Sequence, residues 1–365
     1  MHIAVIGGGI MGLSAAFALQ EAGHTVTLYE QYTIGHNRAS SHDAHRLIRY
    51  PYGSMTGYMQ MIAPAYAAWD NLWQALGKSL YAPTGTLVLG NCADDWAAAS
   101  QHALQAFNHP LEDLDQPTLK ARYPFLIADA TNTAFLQPSG GLLFAQQILI
   151  ALKTLLAERG VTMLEEAPVT HLDVGKATLG TSHQTYTFDR CIVTAGPWVG
   201  TLLPRFSQQV TPSRQVTLFF DPPASDRPLW STCPMILDID HDSGFYLVPP
   251  RAGTMLKIGD HRFSKTGHPE ADLPVQSSEI EAMHRAAARR IPLLAQYPVH
   301  RSAVCYYTVA DEERFIAHCE GKTWILTGFS GHGFKFGPLI GQRLVQVVDG
   351  HTAPSVFTTW VSGNF

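Results

Sequence analysis

Charge is scarce in this sequence. Asp, Glu, Lys and Arg make up only 15% of its 365 residues, the formal net charge is −5, and there is no basic run. A protein that grips nucleic acid or an anionic membrane needs a basic patch or tract, so neither partner is expected. Long apolar runs are also missing: no window reaches the roughly 18 uninterrupted apolar residues of a membrane span. The first nineteen residues are apolar, but three consecutive glycines interrupt them and no basic segment precedes them, so they read as mature protein. Cysteine is sparse as well. Cys92, Cys191, Cys233, Cys305 and Cys319 are odd in number, scattered and without a C-x-x-C pair. They suggest neither a disulfide framework nor a zinc site, so no metal is expected and a reducing cytoplasm is the expected compartment. Internal repeats and low-complexity tracts are absent.

What is present is apolar residue, 46% of the chain, enough for two cores. The strongest local signal is "HIAVIGGGIMGLSAAFALQEAGHTVTLYE". It reads as a strand from His2 to Ile6, then Gly7-x-Gly9-x-x-Gly12, a helix to Ala22 stopped by Gly23, and a second strand ending in Glu30. Glycines let the backbone approach a pyrophosphate, the helix start offers free N–H groups, and an acid about 20 residues on takes a ribose hydroxyl. Set between strand and helix, the motif predicts a dinucleotide site and leaves FAD and NAD both open.

Helical and strand periods alternate further along. A helix is expected over 56–77, a strand over Thr86–Leu89, a helix from the break at Pro138–Gly141 to Arg159, and a buried strand over Cys191–Thr194. From about Gln215 to Tyr307 alternating strands with one helix, Ser278–Arg290, predict an antiparallel sheet. Near the end, "GFSGHGFKFGPLIG" places Lys335 among glycines and phenylalanines ahead of a helix over about Gly337–Val348. Such a segment is a poor helix, strand or core.

The N-terminal fingerprint, "SSHDAHRLIRYPYG", "VTAGPWV", "GFYLVPPRAGTMLKIGDH", "AVCYYTVADEERFI" and "GFSGHGFKFGP" occur in this order along the whole chain. In order and spacing the sequence resembles the monomeric sarcosine oxidase and N-methyltryptophan oxidase group of the D-amino-acid-oxidase-like flavoproteins. The resemblance implies an α/β fold, α+β overall, with a Rossmann-like FAD-binding domain (1–85, 140–214 and 320–365) and an inserted antiparallel-sheet substrate domain (86–139 and 215–319). It implies FAD rather than NAD, and oxidation of a small amino acid's amine to an imine, with dioxygen reduced to hydrogen peroxide by an enzyme expected to be monomeric.

The resemblance also assigns residues. Arg49 and Lys335 would bind the substrate carboxylate. Arg46 would lie near the flavin ring and Lys257 against its other face, where an ammonium stabilises charge on dioxygen. His261 would sit near the substrate amine, and Tyr246 and Tyr307 would line the pocket. Cofactor contacts carry over to Gly7, Gly9, Ile10, Met11, Gly12, Glu30, Ser41, His45, Arg46, Val169, Gly196, Trp198, Gly331, Gly333, Phe334 and Lys335. Cys305 would bond covalently to the flavin, with nearby cations favouring its thiolate. Two departures from the pattern stand out. Asp43-Ala44-His45 replaces a glycine–aspartate–threonine or –serine run, which brings a histidine close to the flavin, and "LVPPRAG" brings Arg251 near the pocket mouth, either for a second acidic group on the substrate or, the preferred reading, as a surface arginine. Sarcosine itself is not implied: a primary or cyclic amino acid (glycine, a D-amino acid, proline or pipecolate) uses the same anchor, and an NAD-dependent dehydrogenase or a flavin-binding subunit needing a partner are the alternatives.

Overall fold

The N-terminal signal folds as its periodicity requires. His2–Ile6 forms a strand, Ile10–Glu21 a helix and Thr25–Tyr29 a second strand parallel to the first. A computed structural model describes residues 1–91, 95–129, 131–182, 184–239, 244–271 and 274–365. The helix is apolar all round, and Ile10 to Leu19 are all buried, because it lies between the sheet and the C-terminal helix Gly337–Val348. Glycine makes the second contact close: a Cβ at Gly341 would stand 2.5 Å from the Ser14 carbonyl oxygen.

Around this unit a six-stranded sheet runs in the order Ile316–Glu320, Thr323–Thr327, Arg190–Val193, His2–Ile6, Thr25–Tyr29, Thr162–Leu164, parallel except for its first pair. Parallel strands need long crossovers, and helices such as Ile10–Glu21 and Ala145–Glu158 supply them. The chain has the mixed α/β architecture expected of a Rossmann-like nucleotide-binding unit with a second sheet.

That second sheet has eight strands, ordered Val299–Ala310, Val210–Phe220, Leu256–Asp260, Phe245–Val248, Met235–Asp238, Thr86–Gly90, Thr133–Gln137, Glu112–Asp113. It is antiparallel except where Met235–Asp238 runs parallel to Thr86–Gly90, since those strands are joined by a long excursion rather than a hairpin. Residues near 86–139 and 215–310 therefore share one sheet. The expected borders at 214/215 and 319/320 fall inside the strands Val210–Phe220 and Ile316–Glu320.

Local differences from expectation have simple causes. Leu142 and Leu143, expected as the start of the helix after the break at Pro138–Gly141, belong to a short strand, Gly141–Leu143, between Arg46–Ile48 and Tyr81–Pro83, and the helix begins only at Ala145. The strand read as Cys191–Thr194 spans Arg190–Val193, because the Thr194 hydroxyl turns back to donate to the Ile6 and Gly7 carbonyls. The helices expected over 56–77 and 278–290 are Thr56–Leu76 and Ser277–Arg290. Cys92 lies outside the described residues. Among the described residues no helix is long and apolar enough to cross a membrane, and no group of His, Cys, Asp or Glu could hold a metal ion.

Candidate active site

Two cavities meet in the middle of the protein. The first, about 410 Å³, opens over the N-terminal turn. Gly7 takes φ +107°, and a Cβ there would come 2.4 Å from the Thr194 carbonyl oxygen, so only glycine serves this turn. At Gly12 a Cβ would sit 1.8 Å from the Gly7 carbonyl oxygen: this glycine closes the turn and does not line the cavity. Gly9, by contrast, opens onto the cavity, with only the Ser41 hydroxyl, 3.1 Å away, within 4 Å of where its Cβ would stand. Glu30 is buried and accepts the backbone N–H groups of Gly8 (2.7 Å) and Tyr32 (2.9 Å). A carboxylate has about four acceptor sites, so Glu30 retains capacity for a ligand hydroxyl.

Of the expected cofactor contacts, Gly7, Gly9, Ile10, Met11, Glu30, Ser41, Arg46, Val169, Gly196, Trp198, Gly331, Gly333 and Phe334 line this cavity. His45 and Lys335 line the second cavity instead, and Cys305 lines neither. Sequence reasoning did not single out Glu270. Its carboxylate accepts from the Tyr32 hydroxyl (2.8 and 2.9 Å), the Trp198 indole N–H and Arg38 Nη1 (3.4 Å), bridging the segment after Asp260 to the rim of the first cavity.

The second cavity is smaller, about 180 Å³. Arg46, Tyr307, Gly331 and Phe334 line both cavities and mark the junction. At Gly331, φ is +76° and a Cβ would meet the Tyr307 ring at 2.5 Å, so glycine lets the backbone pass close beside that ring. Arg49, Tyr246, Lys257, His261 and Lys335 also line the second cavity, so widely separated segments of sequence meet there.

Cations dominate its electrostatics. Lys335 is 4% exposed, and its ammonium donates to the Tyr52 hydroxyl and the His332 carbonyl, both at 2.9 Å. Burial and then the Arg49 charge hold its pKa well below the usual lysine range. Arg49 donates to the Pro51 carbonyl and lies over the rings of Tyr52 (4.9 Å) and Trp96 (5.2 Å); burial lowers its pKa as well. Among the described residues no carboxylate forms an ion pair with either cation. Glu313 lines the same cavity, but burial raises its pKa and opposes its ionisation.

A second group of charges includes Arg46 and Lys257, which line the same cavity. Lys257, 2% exposed, and Arg46 both donate to Asp43 Oδ2. Burial pushes the Asp43 pKa up, but Lys257 and Arg46 outweigh it and the carboxylate is held well below its usual range. His45 is 1% exposed, and neither ring nitrogen has a hydrogen-bond partner; burial, then Lys257, lowers its pKa to about 4. His261 follows the end of its strand at Asp260, so period-two alternation does not set its direction, yet it lines the same cavity as Lys257. Burial and Arg49 bring its pKa to about 4, and both histidines are neutral near pH 7.

Two expectations need correction. Arg251 does not reach the cavity: it donates to the carbonyls of Trp230 (2.8 Å), Pro250 (2.8 Å) and Cys233 (2.7 Å) and ties that corner together. The surroundings of Cys305 do not favour its thiolate overall. Its sulfur lies 3.9 Å from Arg46 Nη2, but burial raises the thiol pKa more than Arg46 and Lys257 lower it, and Asp43 adds to the rise. Tyr52, Trp96, Glu313 and His332 are cavity residues that sequence reasoning missed. "RYPYG" and "GHGF" were legible as part of the motifs, but nothing in the pattern shows that Trp96, from the start of the helix Trp96–Ala106, folds over Arg49.

The residues present fit a flavin dinucleotide. A helix start whose N-cap, Gly9, offers no capping side chain, and whose Ile10 N–H donates to the Ser41 hydroxyl (3.0 Å), faces the first cavity, an acid stands at the ribose position, and the cavity continues into a cation-rich chamber. The comparisons agree. Monomeric sarcosine oxidase of Bacillus sp. (strain B-0618) is 28% identical over 369 residues, spanning 94% of this chain and 91% of that protein. N-methyl-L-tryptophan oxidase of Salmonella typhi is 27% identical, spanning 95% and 94%. The crystal structure of L-proline dehydrogenase from P. horikoshii shares the fold with a TM-score of 0.84 at 20% identity, covering 100% of this chain and 96% of that one. The family model described as "DAO: FAD dependent oxidoreductase" matches residues 2–347, and with the cavities described above this shows that the chain belongs to the family of FAD-dependent oxidoreductases.

Proposed function

We propose that this protein is an amino acid oxidase that converts the C–N bond of a small, secondary N-methyl amino acid to an imine and passes the electrons to dioxygen, giving hydrogen peroxide. The observation that carries this reading is the pair Arg49 and Lys335: two cations at a cavity of about 180 Å³, with no carboxylate from the described residues paired to them. A buried charge without a partner is costly, and an amino acid's carboxylate supplies the missing anion. Arginine offers a planar fork and lysine a compact charge, which together fix the orientation of the guest.

The glycine turn and Glu30 would hold FAD along the first cavity, with Arg46, Tyr307, Gly331 and Phe334, which line both cavities, beside its ring, and so held it would supply the electron chemistry. The protein supplies position and charge. Anchored by its carboxylate, the guest is confined between Tyr246, Tyr307 and His261. Arg49 and Lys335 disfavour a further positive charge, so the bound amine gives up its proton and presents its lone pair. Both histidines are neutral and neither is required as a fixed base. Lys257, on the wall of the same cavity, would face the negative charge that builds on dioxygen, and the imine would hydrolyse in water. We further propose that Cys305 attaches the cofactor covalently: an S–H of Cys305 and a C–H of a ring methyl group would give way to a thioether, the two protons going to water and the two electrons through the ring to dioxygen, so after acid precipitation the yellow colour should stay with the wild-type pellet and pass to the supernatant in Cys305→Ser.

The cavity also suits a primary or cyclic amino acid, and L-proline dehydrogenase shares the fold. An anaerobic screen of N-methyl, cyclic and primary amino acids, followed by bleaching of the flavin, tests the assignment. Bleaching by N-methyl amino acids and peroxide on admitting air are expected; bleaching by none of the carboxylate-bearing amines would overturn it.

A further inference from the structure

The substrate site explains Arg49 and Lys335 but leaves Asp43 without a role. Asp43 is 8% exposed, and its Oδ2 accepts from both Lys257 and Arg46 while Oδ1 accepts from the Ala44 N–H (2.7 Å). Arg46 is fixed from behind by the carbonyls of Ser40 (2.8 Å) and His42 (3.0 Å). His45, 1% exposed and neutral near pH 7, lines the same cavity and contributes no charge. The group therefore holds two cations and one carboxylate, with Arg46 at the junction of the cavities and Lys257 on the wall of the second.

We propose that Asp43 is a positioning residue that holds Lys257 and Arg46 against the flavin ring and cancels about half of their charge, making the ring a weaker acceptor of electron pairs than two free cations would. The proposal rests on the ring position given under Proposed function. Its physics is Coulombic: a ring that accepts an electron pair gains negative charge, which fixed cations in a dry site stabilise and a fixed carboxylate opposes. Asp43 stays ionised because Lys257 and Arg46 outweigh its burial. The carboxylate also ties the flexible lysine to one place, so charge and position are set by the same bond.

Sulfite is the probe, since it donates an electron pair to oxidised flavin and leaves negative charge on the ring, read as loss of the flavin absorbance in the purified holoprotein. Asp43→Asn is expected to bind sulfite about tenfold more tightly than wild type, the scale of one partly screened buried charge. Asp43→Glu, which keeps the charge, should stay within about twofold of wild type on the same argument. If Asp43→Asn retains flavin and its sulfite affinity does not rise, Asp43 is only a structural bond and the proposal is overturned. Should Asp43→Asn lose its flavin, Asp43→Ser is measured instead, and loss of flavin in both equally overturns it. Lys257→Met and Lys335→Met separate this from a misplaced ring: both weaken sulfite binding if the ring lies at the junction, whereas neither changes it if the ring lies elsewhere.

Discussion

Lys257 and Lys335 are both buried lysines on the wall of one cavity, yet their surroundings are opposite. Lys257 has a carboxylate of its own, Asp43, shared with Arg46. Lys335 has a tyrosine hydroxyl, a backbone carbonyl and a second cation nearby. The first lysine is compensated by the protein, while the second forms no ion pair among the described residues and, on the proposed function, awaits a guest's carboxylate. Burying an unpaired cation costs stability, and a fold that keeps one at a cavity wall has placed it for an incoming anion.

Breaking the uncompensated side should have the largest effect on activity. On the proposed function Lys335→Met and Arg49→Met would each remove a partner of the guest's carboxylate, and kcat/KM is expected to fall about 10²- to 10³-fold, as for truncated buried charge pairs. Steady-state kinetics on the best amine found by the screen checks this. The same Lys335→Met change relieves an unpaired buried cation, so the ligand-free variant should be more stable than wild type by about 1 kcal/mol in denaturant unfolding. A loss of stability there would show that Lys335 is a structural residue.

On the compensated side the signs reverse. Lys257→Met leaves Asp43 with Arg46 alone and should destabilise the fold by about 1–3 kcal/mol. Stopped-flow kinetics should show anaerobic flavin reduction nearly intact and reoxidation by dioxygen slowed about 10²-fold, the scale of one lost electrostatic contact to developing charge. The opposite pattern would move Lys257 to the substrate side.

The comparison also fixes a pH dependence. In the free protein the Lys335 pKa is lowered by burial and Arg49, so the ammonium is lost at a lower pH than for an ordinary lysine. A bound carboxylate favours the charged form and raises that pKa. Binding therefore takes up a proton, and affinity for acetate as a probe should be greatest below the free-protein value and fall as pH rises through it. Acetate titration of the flavin spectrum against pH measures this, and Lys335→Met should flatten the profile. The smallest effect is expected at the cavity rim: Glu270→Gln keeps the shape but weakens a charge-assisted contact, and release of FAD, measured under mild denaturant in the Cys305→Ser background, should quicken a few-fold.

Much of the first cavity was legible in the chain because its chemistry is backbone chemistry. Gly7, Gly9 and Gly12 are spaced for one turn, the strand and helix around them follow from short-range periodicity, and Glu30 directly follows the next strand. The second cavity was legible only through motifs, since its lining comes from residues 45 to 335 and no period connects them. His261 shows the limit: only the resemblance assigned it, because the strand stops at Asp260 and no strand period sets its direction. Trp96 over Arg49, Glu270 across the rim and Arg251 away from the cavity could not have been read at all, because each depends on where a distant segment comes to rest.

The sequence by itself determined a nucleotide-binding turn, the alternation of helices and strands, and the presence of a few cations in otherwise apolar segments; these depend on local sterics and on periodicities of two and 3.6 residues. Only the tertiary structure decided which cations have a partner. Coulomb energy depends on distance and burial rather than on spacing along the chain, and Asp43 meets Lys257 across 214 residues while Lys335 meets no carboxylate among the described residues.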